Sequence, residues 1–184
     1  MSAAKDGSLS SLKGLTELKN LTIYYARNSL QPEGLDDCEK LTSLTLSLLY
    51  PGTYSIPRGG DKAFNITYSI KYASELLTDV EDFVTFDISS TNGAANKWTL
   101  HAGKNVLLKG SSDTIERISG STNFAADFGA PNLAGLVVGN KKNRDVEGFN
   151  NALYRMPNLT SLSMSSTEMT ELPKGVESLS KLET

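Results

Sequence analysis

One histidine and one cysteine limit the side-chain chemistry this chain can perform. Ser–His or Cys–His nucleophilic catalysis needs a base in contact with its nucleophile, so it would rest on His101 alone. His101 stands in the stretch WTLHAG, where a surface strand end or turn is the simpler reading. Cys38 occupies an apolar position and reads as a small core residue. One of each does not make a conventional zinc site. Acidic clusters occur at Asp36–Asp37 and at Asp79, Glu81 and Asp82. Each precedes a predicted strand, where a solvated turn or helix surface is expected. Nothing spaces them for a two-carboxylate hydrolase, and they lack the alternating ligands of a calcium loop. GKNVLLKGSSD offers Gly and Lys without phosphate-cradling spacing, and no nucleophile elbow or dinucleotide fingerprint occurs. The expectation is a chain with no catalytic residue, metal or cofactor.

Composition points the same way. The chain has 184 residues, 39% hydrophobic and 21% charged, which is ordinary for a globular domain. A net charge of −3 gives no basic face for nucleic acid or an anionic membrane. No apolar run reaches the roughly 20 residues that span a bilayer. Met1 to Ser8 is small and polar, without a hydrophobic signal core. That fits a cytoplasmic protein, and equally a secreted one from which a signal has been removed.

What would position any site is a repeat. Leu18, Leu21 and Ile23 recur as Leu41, Leu44 and Leu46, and again as Leu159, Leu162 and Met164, with Leu182 beginning another copy. Phe83, Phe86 and Ile88, and Leu133, Leu136 and Val138, share the spacing. In LxxLxL the fourth and sixth residues fall on one face of a short strand. After Leu159, further apolar residues at Met169, Leu172, Val176 and Leu179, with Pro173, suit a helical or 3-10 return. One such unit cannot bury its own apolar face, so copies must stack.

The pattern resembles the leucine-rich repeat (LRR), in the divergent form of bacterial secreted or surface proteins. The resemblance implies an α/β solenoid with short parallel strands on a concave face and a helical, 3-10 or irregular convex side. A single domain over 1–184 is expected, with clear repeats at 9–47 and 133–184. The family's turn asparagine reads Ala26, Leu49, Thr91, Lys141 and Thr167 here, which predicts irregular turns. Residues 48–132 are divergent. Pro51, Gly52, Pro57, Gly59 and Gly60 predict a loop, 65–72 a strand, and 144–156 a convex helix through Val146, Phe149, Leu153 and Met156. WTLHAGKNVLLKG suits one or two short strands, Ile115 with Ile118 a degenerate repeat, and Asn123 to Pro131 a loop. Either the array is continuous with long repeats or a small β-rich insert interrupts it; the strand spacings at 83–88 and 133–138 favour continuity. Both termini fall inside a repeat, which suggests a piece of a longer protein or ends open to self-association.

The functional expectation is a binding surface. The strand spacer residues are Asn20, Thr22, Tyr24; Ser43, Thr45, Ser47; Thr85, Asp87, Ser89; Gly135, Val137, Gly139; and Ser161, Ser163, Ser165. They make a small, hydroxyl-rich face. Partner-binding candidates are Tyr24, Ser43, Thr45 and Asp87 on that face, Tyr54 and Trp98 in loops, and Tyr154 with Arg155, because aromatics and Arg anchor interfaces. Trp98 could instead cap the core. A protein-interaction or adhesion module at the cell surface is expected. A structural spacer and a carbohydrate-binding face are the alternatives. Asn20, Asn65 and Asn158 each open an N-x-Thr sequon, but sequons alone do not establish secretion.

Overall fold

The structure, a computed structural model, describes residues 12–26, 37–48, 52–55, 67–72, 84–89, 98–139, 146–165 and 170–184. Among them are nine strands: β1 (Asn20–Ala26), β2 (Ser43–Leu48), β3 (Gly52–Ser55), β4 (Thr67–Tyr72), β5 (Val84–Asp87), β6 (Trp98–Lys109), β7 (Ile115–Phe124), β8 (Gly135–Gly139) and β9 (Ser161–Ser165). One helix, α1 (Val146–Leu153), and a 3-10 segment, Lys174–Ser178, lie on the connections flanking β9. All strand pairing is parallel, and the class is mixed α/β. No helix among the described residues is long and apolar enough to cross a membrane.

The sheet has two tracks. The first runs β1-β2-β4-β6-β7-β8-β9 and the second β3-β5-β6. β6 serves both, because Thr99–Ala102 pairs with β4 and Val106–Lys109 pairs with β5. β7 follows it through the same register break, between Ala102 and Val106. Gly120 sits opposite Ala102, with φ 128°, a conformation L side chains rarely adopt. A Cβ there would come within 1.7 Å of the Ala102 carbonyl oxygen. Glycine lets the two backbones approach at this point.

Along the first track the register stacks equivalent positions: Leu21, Leu44, Tyr68, Leu100, Ile118, Leu136 and Leu162 lie side by side. Leu21, Leu44, Leu100, Ile118 and Leu136 are buried, and Leu162 packs against the same core. Ahead of the strands one turn recurs. The amides of Leu18, Leu41, Leu133, Leu159 and Leu182 donate three residues back, to Leu15, Cys38, Ala130, Met156 and Leu179. A second feature repeats with it, since one carbonyl accepts two successive amides of the next strand entry. Lys19 O takes Thr42 and Ser43, and Ala134 O takes Thr160 and Ser161. These bonds satisfy backbone groups at the strand entries. Asn132 and Asn158 also contribute, donating to Asp113 O and Pro131 O at 2.9 Å each, while Lys181 donates to Asn158 Oδ1 at 2.6 Å.

Cys38 is fully buried in its apolar position, its thiol 3.8 Å from Leu12 O. Where the tracks meet α1, Phe124 packs on Phe128 at 4.7 Å and on Phe149 at 5.9 Å. Such ring pairs contribute about 0.5–1.5 kcal/mol each beyond their burial.

Several expectations are corrected. The 83–88 segment does not extend the Leu44 ladder: that place is taken by β4, and β5 lies on the second track. Alternation reports only that a strand has two faces; hydrogen-bond register decides which neighbour it joins. Gly52–Ser55 of the expected loop is a strand paired with β5. WTLHAGKNVLLK forms one strand of 12 residues that bends between tracks, so its halves act as two. Asn123 and Phe124 close β7, and the loop begins only after them. Helix α1 buries Phe149 and Leu153 but leaves Val146 56% exposed, at the first position of the helix. Leu77, Val80 and Phe83, whose spacing in the sequence suits a convex segment leading into the next strand, lie outside the described residues.

Candidate interaction surface

Strand alternation builds the surface. With the leucine column buried, the residues between whose side chains are described point outward, and the register lines them up in rows across the first track. One row reads Asn20, Ser43, Thr67, Thr99, Arg117, Gly135, Ser161. The next reads Thr22, Thr45, Ser69, His101, Ser119, Val137, Ser163. Spacing is about 4.8 Å between strands and roughly 6.7 Å between rows. Small hydroxyl side chains dominate, and they leave the rows low and open. Val137 is an exposed apolar point within them, at 45%.

The rows carry one polar cluster. On β6 and β7 the His101 ring Nδ1 meets the Ser119 hydroxyl. Arg117, exposed and one row away, lies against Gly135: a Cβ on that glycine would be 3.1 Å from Arg117 Nη1 and 3.4 Å from its Cγ. The absent side chain gives the guanidinium stem a floor. Arg117 is the one permanently charged residue among the outward positions of these rows whose side chains are described.

The expected binding residues scatter. Ser43 and Thr45 take their places on the outer face of β2, both half-buried, and Tyr24 belongs to β1 beside Ser47 in register. Asp87 is not on this face. It ends β5 on the second track, where its carboxylate accepts the Ser89 amide at 3.0 Å and lies 3.8 Å from Lys109 Nζ. Tyr54 is in β3, paired with Phe86, rather than in a loop. Trp98 is no surface anchor either. It is 3% exposed and donates from Nε1 to Thr114 Oγ1 at 2.8 Å, where Thr114 also meets Ser112 Oγ at 3.0 Å. The indole is large enough to need burial and polar enough to need a partner, and the β7 entry supplies both. Tyr154 is 54% exposed beyond α1, away from the rows. Arg155 beside it is a latch. Its guanidinium donates to Ala126 O and, at 3.2 Å, to Phe128 O, while its own carbonyl accepts the Ala130 amide.

Sequence reasoning put His101 at a surface strand end or turn and passed over Thr99, Arg117 and Ser119. The signal was present: Thr99, Leu100, His101 and Arg117, Ile118, Ser119 alternate outward, inward, outward. It was weak because neither strand has the leading leucine of LxxLxL. No family model, curated protein or solved structure matches the chain.

Proposed function

We propose that the chain is a leucine-rich-repeat solenoid that acts as a protein-interaction or adhesion module, its partner lying across the hydroxyl rows of the first track. One observation carries the reading. Seven parallel strands are aligned in register across the leucine column and the two rows beside it, which supports one open outward surface on a shared core. The recurring turn before each leucine strand supports the repeat reading, since the same backbone bond returns with each copy. Short side chains on registered strands lose little rotamer freedom on binding and allow close backbone approach, which suits an extended protein surface. A carbohydrate face is less favoured, because Trp98, the obvious stacking platform, is buried. The resemblance to bacterial surface proteins supports a place outside the cell or on its surface.

Site-specific crosslinking tests the proposal. Cys38 is buried, so a cysteine introduced at exposed Thr22 or Ser163 can be labelled selectively with a photo-crosslinker. Both positions should capture the same partner, and one at exposed Val146 should not. Equal capture from Val146 overturns the assignment of the face.

A further inference from the structure

We propose that Arg117, Ser119 and His101 form a carboxylate-binding spot on the outer face, fitted to an acidic side chain of a protein partner. The assignment rests on the first-track surface being the recognition face. Three features converge. Arg117 presents a planar fork of donors suited to two parallel bonds to a carboxylate. Its Nη1 lies nearest the place a Gly135 Cβ would take, at 3.1 Å, with Cγ at 3.4 Å, so the fork lies over Gly135 on the outer face, toward β8, rather than in the core. Two residues along the same strand and face, Ser119 is held by His101 Nδ1. When the ring donates from Nδ1, the serine oxygen accepts and its hydroxyl proton is free to donate outward. The span between Arg117 and Ser119, roughly 6.7 Å along the strand, is within reach of a flexible arginine closing on an oxygen pair.

Charge selects the ligand. The outward positions of the two rows include no Asp or Glu from Asn20 to Ser163, so no carboxylate there neutralises Arg117. The chain as a whole is acidic, at −3, which makes a local cation on a hydroxyl surface the point where an acidic partner gains most.

His101 is the single histidine, so its imidazole resonances report on the spot without assignment ambiguity. The intact chain is titrated with a short oligoglutamate peptide, with oligoglutamine and matched sodium chloride as controls. A saturable shift of the His101 signals with oligoglutamate alone is expected. Arg117→Gln should weaken it about tenfold or more, and Arg117→Lys should weaken it less, since an ammonium keeps the charge but loses the fork. Unchanged Trp98 fluorescence confirms that the variants remain folded. Equal shifts with sodium chloride, or undiminished binding in Arg117→Gln, overturn the proposal. A response to inorganic phosphate but not to oligoglutamate overturns the carboxylate assignment. Saturable binding in a chain whose crosslinked partner ignores the outer face would uphold the spot and overturn only the recognition role proposed above.

Discussion

Replacing Gly120 with alanine tests the two-track architecture at the place where it bends. Two penalties add there. The φ of 128° lies where only glycine is comfortable, which costs on the order of 1–3 kcal/mol for a side chain. The new Cβ would also sit 1.7 Å from Ala102 O, against an ordinary contact beyond 3.4 Å. The obstacle is backbone, so no rotamer change relieves it; β6 and β7 must separate locally. That sacrifices one or two ladder hydrogen bonds, at about 0.5–1.5 kcal/mol each. The sum is about 1.5–6 kcal/mol, a large fraction of a typical domain's stability. Gly14 provides the control. Its φ is 83° and nothing lies within 4 Å of its Cβ position, so Gly14→Ala carries the conformational penalty alone, about 1 kcal/mol. Urea unfolding of both variants gives the comparison, with the slope of the transition checked for constancy. A Gly120→Ala loss no greater than the Gly14→Ala loss refutes the close approach and, with it, the registered bend.

Leu44 is wholly buried in the inward column, so Leu44→Ala should cost about 2–5 kcal/mol in denaturant unfolding, and a loss below 1 kcal/mol would contradict the shared core. Trp98 is the single tryptophan and buried, so its native fluorescence should resist iodide quenching and become accessible in urea; ready quenching of the folded chain would restore it to the surface. Asn158→Ala removes a bond to Pro131 O and the acceptor for Lys181, and should cost about 1 kcal/mol or slightly more by thermal unfolding. Lys40→Ala breaks the 2.7 Å contact with Glu17, but both groups are exposed, so the loss should stay below about 1 kcal/mol and shrink with salt.

Leucine spacing was enough to show an inward column at both ends of the chain, because burial there depends on alternation within one strand. Leu21, Leu44, Leu136 and Leu162 are in the positions it implies, and so is Cys38. Helix α1 was legible for the same local reason, through Phe149 and Leu153. The candidate site was legible only in part. Ser43 and Thr45 followed from the clear repeat, and Asp87 was placed by the same spacing although its strand joins the second track, whereas Trp98 and Tyr54 were placed by composition and proximity to turns, which carry no information about the face a residue joins.

Chain order by itself determined that this protein alternates inward leucines with outward hydroxyls, since side-chain direction along a strand is a property of the local backbone. Tertiary structure decided which strands are neighbours. Only hydrogen-bond register could put β4 rather than β5 beside β2, carry β6 across two tracks, and set Gly120 against Ala102. It alone brought His101, Ser119 and Arg117 together from strands that lack the repeat's leading leucine. Pairing between strands is long-range, and no spacing within one strand encodes it.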